Sequence, residues 1–182
     1  LGSDKYENVL IFGGGTGKLL IELLKRNIAE NYCYVDISDK MILLTKKRLK
    51  KNFPDKVNSV QFICGSYTDI ESEKKFDAIF TPYILDCFKE EELSVVMDKL
   101  DTHLSIDGKW FFSDFNIPST KMKSISTILV RMLYFMFNVI CGLGIKKLPD
   151  FRKEFSRLKY SLIQEKYFLK EMIVSRVYGK GS

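Results

Sequence analysis

The chain has 182 residues, 46% of them hydrophobic and 29% charged. That length suits one domain with a real core, and that composition excludes a disordered chain. The cysteines, Cys33, Cys64, Cys87 and Cys141, are widely spaced with no C-x-x-C pair, and His103 is the one histidine. A disulfide scaffold, a zinc knuckle and a His-rich metal site are thereby excluded, and no metal is expected.

The formal charge of +6 hides an asymmetry: residues 1–117 carry 16 basic against 19 acidic groups, and residues 118–182 carry 13 against 4. The basic C-terminal third leaves several partners open: an anionic small molecule, a membrane surface or nucleic acid, beside a plain solvated face. No signal peptide is read in the polar opening Leu1-Gly2-Ser3-Asp4-Lys5, and reduced cysteines point to the cytoplasm.

Strand and helix alternate along the chain. Glu7–Phe12 is a short apolar strand running into glycines, and Leu19, Leu20, Leu23 and Leu24 form a helical stripe over 16–25. Tyr32–Ile37 reads as a second strand, and Ser38 is the N-cap of a helix over 39–51. Val60–Cys64 and Phe76–Phe80 are further strands, the latter stopped by Pro82. The helix over 89–104 carries Leu93, Val96, Met97, Leu100 and Leu104 on one face, and Asp107-Gly108 should turn the chain into a fifth strand, Lys109–Asp114.

A long apolar helical segment follows, ended by Leu148-Pro149-Asp150. Residues 125–145 within it are long enough to span a membrane, but a central Arg131 and Asn138 argue for a buried or lid helix. A short amphipathic helix over 151–159 precedes two last strands, Ser161–Phe168 and Met172–Tyr178, joined too tightly to be anything but antiparallel. The expected fold is α/β: a doubly wound Rossmann-like sheet of seven strands, mostly parallel, with one antiparallel strand near the C-terminal edge. One domain is expected over 1–182, with a helical lid insert at about 117–147. Ligands of such sheets bind at the carboxyl ends of the strands.

Gly13-Gly14-Gly15-Thr16-Gly17-Lys18 joins the first strand to the first helix. A phosphate loop aligned on Gly17-Lys18 would need glycine at Phe12 and a hydroxyl at Leu19. A dinucleotide fingerprint from Gly13 and Gly15 would need glycine at Lys18. What fits is G-x-G-x-G: Gly13, Gly15, Gly17. Asp36 ends the second strand, and its two acceptor oxygens suit a pair of ribose hydroxyls. Loop and acid together point to an adenosine-containing ligand without a pyrophosphate.

With these residues the sequence resembles the class I S-adenosylmethionine-dependent methyltransferases, small-molecule type, near the quinone-biosynthesis group. The likeness runs through VLIFGGGTGKLL, YVDISDKMILLTKKRL, FDAIFTPYILDCFKEEEL and LDTHLSIDGKWFFSDF, and extends to the terminal hairpin. The resemblance implies transfer of a methyl group from S-adenosylmethionine to a small apolar or amphipathic acceptor. It implies that Gly13, Gly14, Gly15, Thr16 and Gly17 line the methionine part and that Asp36 holds the ribose. Ile37 and Met41 would pack on adenine, Ser66 or Tyr67 would meet its edge, and Thr81 would lie near the sulfonium.

Tyr83 and Asp86 are the candidates to face the acceptor, with Asp86 equally able to cap the next helix. Asp114 is a weaker candidate, Cys87 reads as packing without a base partner, and His103 reads as a surface residue. Ile11 departs from the family's usual acid, and Ser66 stands where Asp is common. The family's helical segment before the first strand has no counterpart here, so the chain is either truncated or closed by the 117–147 insert; the insert is the expectation. The lid's Arg131 and its flanking Lys121, Lys123, Lys146 and Lys147 suggest an acceptor bearing negative charge. Two alternatives stay open: a cofactor-binding protein without transferase activity, and a nucleic-acid-directed methyltransferase. The latter is disfavoured because Thr81-Pro82-Tyr83-Ile84 is no N-P-P-Y or D-P-P-Y signature.

Overall fold

In a computed structural model of the chain, the structure describes residues 4–116, 149–169 and 171–181. The lid expected over 117–147, with Arg131, Asn138, Cys141 and its lysines, lies outside the described residues.

The elements run β1 (Tyr6–Phe12), α1 (Lys18–Lys25), β2 (Ala29–Asp36), α2 (Asp39–Asn52), β3 (Val60–Cys64), β4 (Phe76–Pro82), α3 (Glu90–His103), β5 (Leu104–Phe115), α4 (Phe151–Arg157), β6 (Tyr160–Phe168) and β7 (Ile173–Lys180). One seven-stranded sheet has the order β3-β2-β1-β4-β5-β7-β6. All pairs from β3 through β5 are parallel, and β7 is antiparallel to both β5 and β6. The one reversed strand is therefore β7, inserted between β5 and the edge, as the tight hairpin demands.

Alternation along the central strands divides the core between two faces. Leu10, Phe12, Val35, Ile79, Trp110 and Phe112 pack under α3 and α4. Val9, Ile11, Tyr34, Ala78 and Phe80 pack under α1 and α2. The expected stripe of Leu93, Val96, Met97 and Leu100 is fully buried on the first face. Each such side chain contributes about 1.5–3 kcal/mol on burial.

Several sequence expectations are corrected. α1 begins at Lys18 rather than at Thr16, because its N-cap Gly17 is left-handed at φ 74°. Asp107-Gly108 makes no break: β5 is continuous from Leu104, and the extra residues form a bulge where Phe76 to Ala78 of β4 spans Leu104 to Lys109. His103 is not a surface residue. It is fully buried at the end of α3, with Nδ1 2.8 Å from the Lys74 carbonyl and its ring beside Phe76. Burial holds its imidazole below the usual histidine range. The N-cap of α3 is Lys89, not Asp86.

Among the described residues, four basic side chains of the C-terminal third are in ion pairs. Arg152 and Arg176 both meet Glu165, Arg157 meets Asp98 and Glu154, and Lys180 meets Asp101. Among the described residues no helix is long and apolar enough to cross a membrane.

Candidate functional site

The carboxyl ends of β1, β2, β3 and β4 lie side by side, and each hands its chain to one part of the expected site. The glycine loop leaves β1 with Gly13, Gly15 and Gly17 all at positive φ, 70°, 61° and 74°. Two of these positions have different reasons for glycine. At Gly17 a Cβ would lie 2.4 Å from the Thr45 methyl, so helix α2 excludes any side chain there. At Gly15 a Cβ would meet nothing within 4 Å, so the left-handed backbone alone demands glycine and open space lies above it.

The loop is held by its neighbours. The Gly15 N–H donates to Asp36 Oδ2 at 2.8 Å. The Gly15 carbonyl accepts from the Tyr34 hydroxyl at 2.8 Å and from the Thr45 hydroxyl at 3.1 Å. Arg48 Nη1 donates to the Thr16 carbonyl. Burial pushes the Tyr34 phenol up to about 12, so it keeps its proton at neutral pH and stays a donor. Sequence reading missed Tyr34, Thr45 and Arg48. The only signal for Thr45 was a polar residue on the inward face of an amphipathic helix.

Asp36 is the hinge of the arrangement. Its Oδ1 accepts from the Ser38 N–H at 2.9 Å, and its backbone carbonyl accepts from the Gly65 N–H at 3.0 Å. Each carboxylate oxygen thus accepts one backbone N–H and retains a further lone pair. Ile37, next in the chain, is an apolar side chain 81% exposed beside this carboxylate. Met41 is half-buried one helical turn on.

The other expected residues are placed unequally. The Ser66 hydroxyl is engaged within its own turn, 2.7 Å from Thr68 Oγ1 and 3.2 Å from Asp69 Oδ2. Tyr67 packs against the core beneath α3. Thr81 is fully buried and its hydroxyl accepts from the Trp110 indole N–H at 3.0 Å, so that side chain is turned into the core. Ile11 is likewise fully buried among apolar neighbours.

Tyr83 follows β4 with φ 54° and its N–H donates to the Ser113 carbonyl at 2.8 Å. Its ring is 42% exposed and lies 5.4 Å from that of Phe115. Burial, and then the Asp114 carboxyl, raise its phenol above the ordinary tyrosine value. Asp86 sits in a short 3-10 turn, Leu85–Cys87, and is buried. The Cys87 thiol lies 3.6 Å from Asp86 Oδ1, so Cys87 does have a carboxylate beside it.

Asp114, the weaker candidate on sequence, is fully buried at the end of β5. Burial first, and the Asp86 carboxyl second, push it well above the usual carboxylate range. Two carboxyls buried together cannot both ionise cheaply.

Beside the loop, a cleft of about 360 Å³ opens on the α1 side of the sheet, with Leu19, Pro82 and Tyr83 at the end nearest the glycines. Tyr83 lines it; Asp86 and Asp114 do not.

This arrangement has known counterparts. Malonyl-[acyl-carrier protein] O-methyltransferase 2 of Ilyobacter polytropus is 26% identical over 185 residues, covering 99% of this chain and 67% of that protein. A polyamine aminopropyltransferase of Saccharolobus islandicus is 40% identical over 77 residues, covering 40% of this chain and 26% of that protein. The match thus spans about a quarter of the aminopropyltransferase's length. Among solved structures, N-methyltransferase NodS of Bradyrhizobium japonicum WM9, in complex with S-adenosyl-L-homocysteine, superposes with a TM-score of 0.72. It is 11% identical and covers 98% of this chain and 80% of that one, a likeness of fold. Residues 10–110, more than half of the chain and all of the glycine loop, match the model of a family described as a methyltransferase domain. The chain belongs to the methyltransferase domain family.

Proposed function

We propose that this protein is an S-adenosylmethionine-dependent methyltransferase acting on a small apolar or amphipathic acceptor. The observation that carries this reading is the Gly15–Asp36 pair: a left-handed glycine, open above, whose N–H is anchored on a carboxylate with acceptor capacity to spare. Gly13, Gly14, Gly15, Thr16 and Gly17 would receive the methionine part. Asp36 would accept the ribose hydroxyls, and exposed Ile37 with Met41 would cover adenine. Ile11 offers no charge to the cofactor's ammonium, which leaves the loop's carbonyls to hold it. Ser66 and Tyr67 would border the adenine through the loop after β3.

When bound, the cofactor supplies a methyl group on a sulfonium, transferred in line to the acceptor. The protein's part is to orient the acceptor and exclude water. Tyr83, whose phenol burial raises above the ordinary tyrosine value, can donate a hydrogen bond to an acceptor in the cleft, and Asp114 lies outside the cleft lining. Asp86, buried in the turn after β4 and outside the cleft lining, would act on an acceptor only through Tyr83 or the chain around it. The domain would be a single unit closed by the 117–147 insert. The free thiols of Cys33 and Cys64 support a cytoplasmic location. The paired arginines of the C-terminal third support a small-molecule acceptor over a membrane surface or nucleic acid.

A second reading is favoured by the 40% identity to an aminopropyltransferase over 77 residues: transfer of an aminopropyl group from the decarboxylated form of the same sulfonium. Both donors share the adenosine that Asp36 would hold. Calorimetric titration separates the readings, using S-adenosylmethionine, S-adenosylhomocysteine and decarboxylated S-adenosylmethionine, with NAD and ATP as controls. Binding of the first two supports methyl transfer, and preference for the decarboxylated donor supports aminopropyl transfer. Binding of none of the three overturns both.

A further inference from the structure

Strand register arranges the cleft beside the glycine loop into two parallel rows that cross β4, β5, β7 and β6. One row runs Phe80, Phe111, Val177, Gln164; the other runs Pro82, Ser113, Ser175, Lys166. All eight line the same cleft. The first row is an apolar floor: the Phe80 and Phe111 rings stack 4.4 Å apart, and Val177 continues the surface. The second is a rail of small hydroxyls, with the Ser113 and Ser175 hydroxyls 3.0 Å apart, ending in an ammonium on the edge strand. Among the described residues no Asp or Glu lines the cleft and Lys166 has no ion pair.

Polarity therefore rises in one direction. The end near Leu19 and Tyr83, next to the glycines, is apolar and aromatic. The far end, on β6, carries an amide and the cleft's one cation among the described residues, with the ring of Phe168 beside them. Three interstrand steps of about 4.8 Å separate the two ends, a span of about 14 Å. The volume, about 360 Å³, is that of a small-molecule site.

Resting on the transferase reading above, we propose that this cleft is the acceptor site and that it takes an elongated apolar molecule with one anionic group at its far end. The reacting end lies toward Tyr83 and the glycine loop. Lys166 and Gln164 select the anionic end, and the Phe80–Phe111 pair supports the apolar body. An acceptor carrying a cation at the far end is rejected by Lys166. A neutral one loses the charge-assisted hydrogen bond.

The test uses the full chain, 2-naphthoate as probe and uncharged 2-naphthamide as its isostere, followed by methyl NMR of leucine and valine. Naphthoate should shift the Leu19 and Val177 methyls and bind at least about fivefold tighter than naphthamide, with the preference shrinking as salt is raised. Lys166→Met, which keeps the exposed aliphatic stem, should bring naphthoate down to the naphthamide level and leave naphthamide unchanged. Equal affinities in the unaltered protein, shifts confined to other methyls, or an unchanged preference in Lys166→Met would each overturn the inference. S-adenosylhomocysteine titrated into the same sample keeps the two readings apart. Its binding without naphthoate at Leu19 and Val177 sinks the acceptor site alone. Its failure to bind sinks the transferase reading and the acceptor assignment that rests on it.

Discussion

Asp36 Oδ2 accepts the N–H of Gly15 at 2.8 Å, across a gap of 21 residues in sequence. The bond fixes the orientation of the Gly14–Gly15 peptide and aims a carboxylate at the space above the loop. Hydrogen bonds to a charged group are worth about 1.5–3 kcal/mol. Asp36→Ala should therefore weaken S-adenosylhomocysteine binding at least tenfold by calorimetry, with the circular dichroism of the fold retained. A loss below twofold would contradict this role.

Gly17 tests strain against clash. Gly17→Ala places a Cβ at φ 74° and 2.4 Å from the Thr45 methyl. Strain of about 1–3 kcal/mol should lower Tm by several degrees, at roughly 2–4 °C per kcal/mol for a chain of this size. Adding Thr45→Ser removes the methyl but leaves the Thr45 hydroxyl oxygen at 2.7 Å, its Cβ at 2.9 Å and the left-handed backbone, so Tm should recover only in small part. Full recovery would show that the methyl contact carried the whole cost.

Thr81 is expected to matter for stability through Trp110. Its hydroxyl is the partner of a fully buried indole N–H. Thr81→Val keeps the shape and leaves that N–H unpaired, which costs about 1–3 kcal/mol. Urea unfolding should show this loss, and Thr81→Ser should restore most of it. If Thr81→Val is as stable as the unaltered protein, the hydrogen bond carries no net stabilisation.

Asp114 gives a pH signature. Its native pKa is raised by burial and by Asp86, whereas an unfolded aspartate titrates near about 3.9. Above that value the unfolded chain releases a proton that the native state keeps. Stability therefore falls as pH rises, until the native pKa is passed. Asp114→Asn removes this slope. The Tm of the variant relative to the unaltered protein should move in the variant's favour between pH 4 and pH 7. A difference that is the same at both values would mean that Asp114 is not held protonated.

The sequence alone determined the order of strands and helices, the Ser38 cap of α2, the reversed last hairpin and the spacing of the glycine loop. All are local: periodicity, capping and turn length act within a few residues. It also placed Asp36 at a strand end, because strand length is legible. Tertiary structure decided the partners. Tyr34 reaches the loop from β2, beside β1, and Thr45 and Arg48 reach it because α2 packs against β2, β3 and α1. His103 and Thr81 turned inward because the neighbouring Lys74 carbonyl and Trp110 indole offered them hydrogen bonds. Asp114 was unremarkable in sequence, and its carboxyl rises above the usual range only when folding buries it beside Asp86. The two rows of the cleft exist only through the register of four strands drawn from distant parts of the chain. A sequence reports the preferences of each segment. Burial and pairing between segments set the charge, the contacts and the cleft, and these depend on distances that only the folded chain defines.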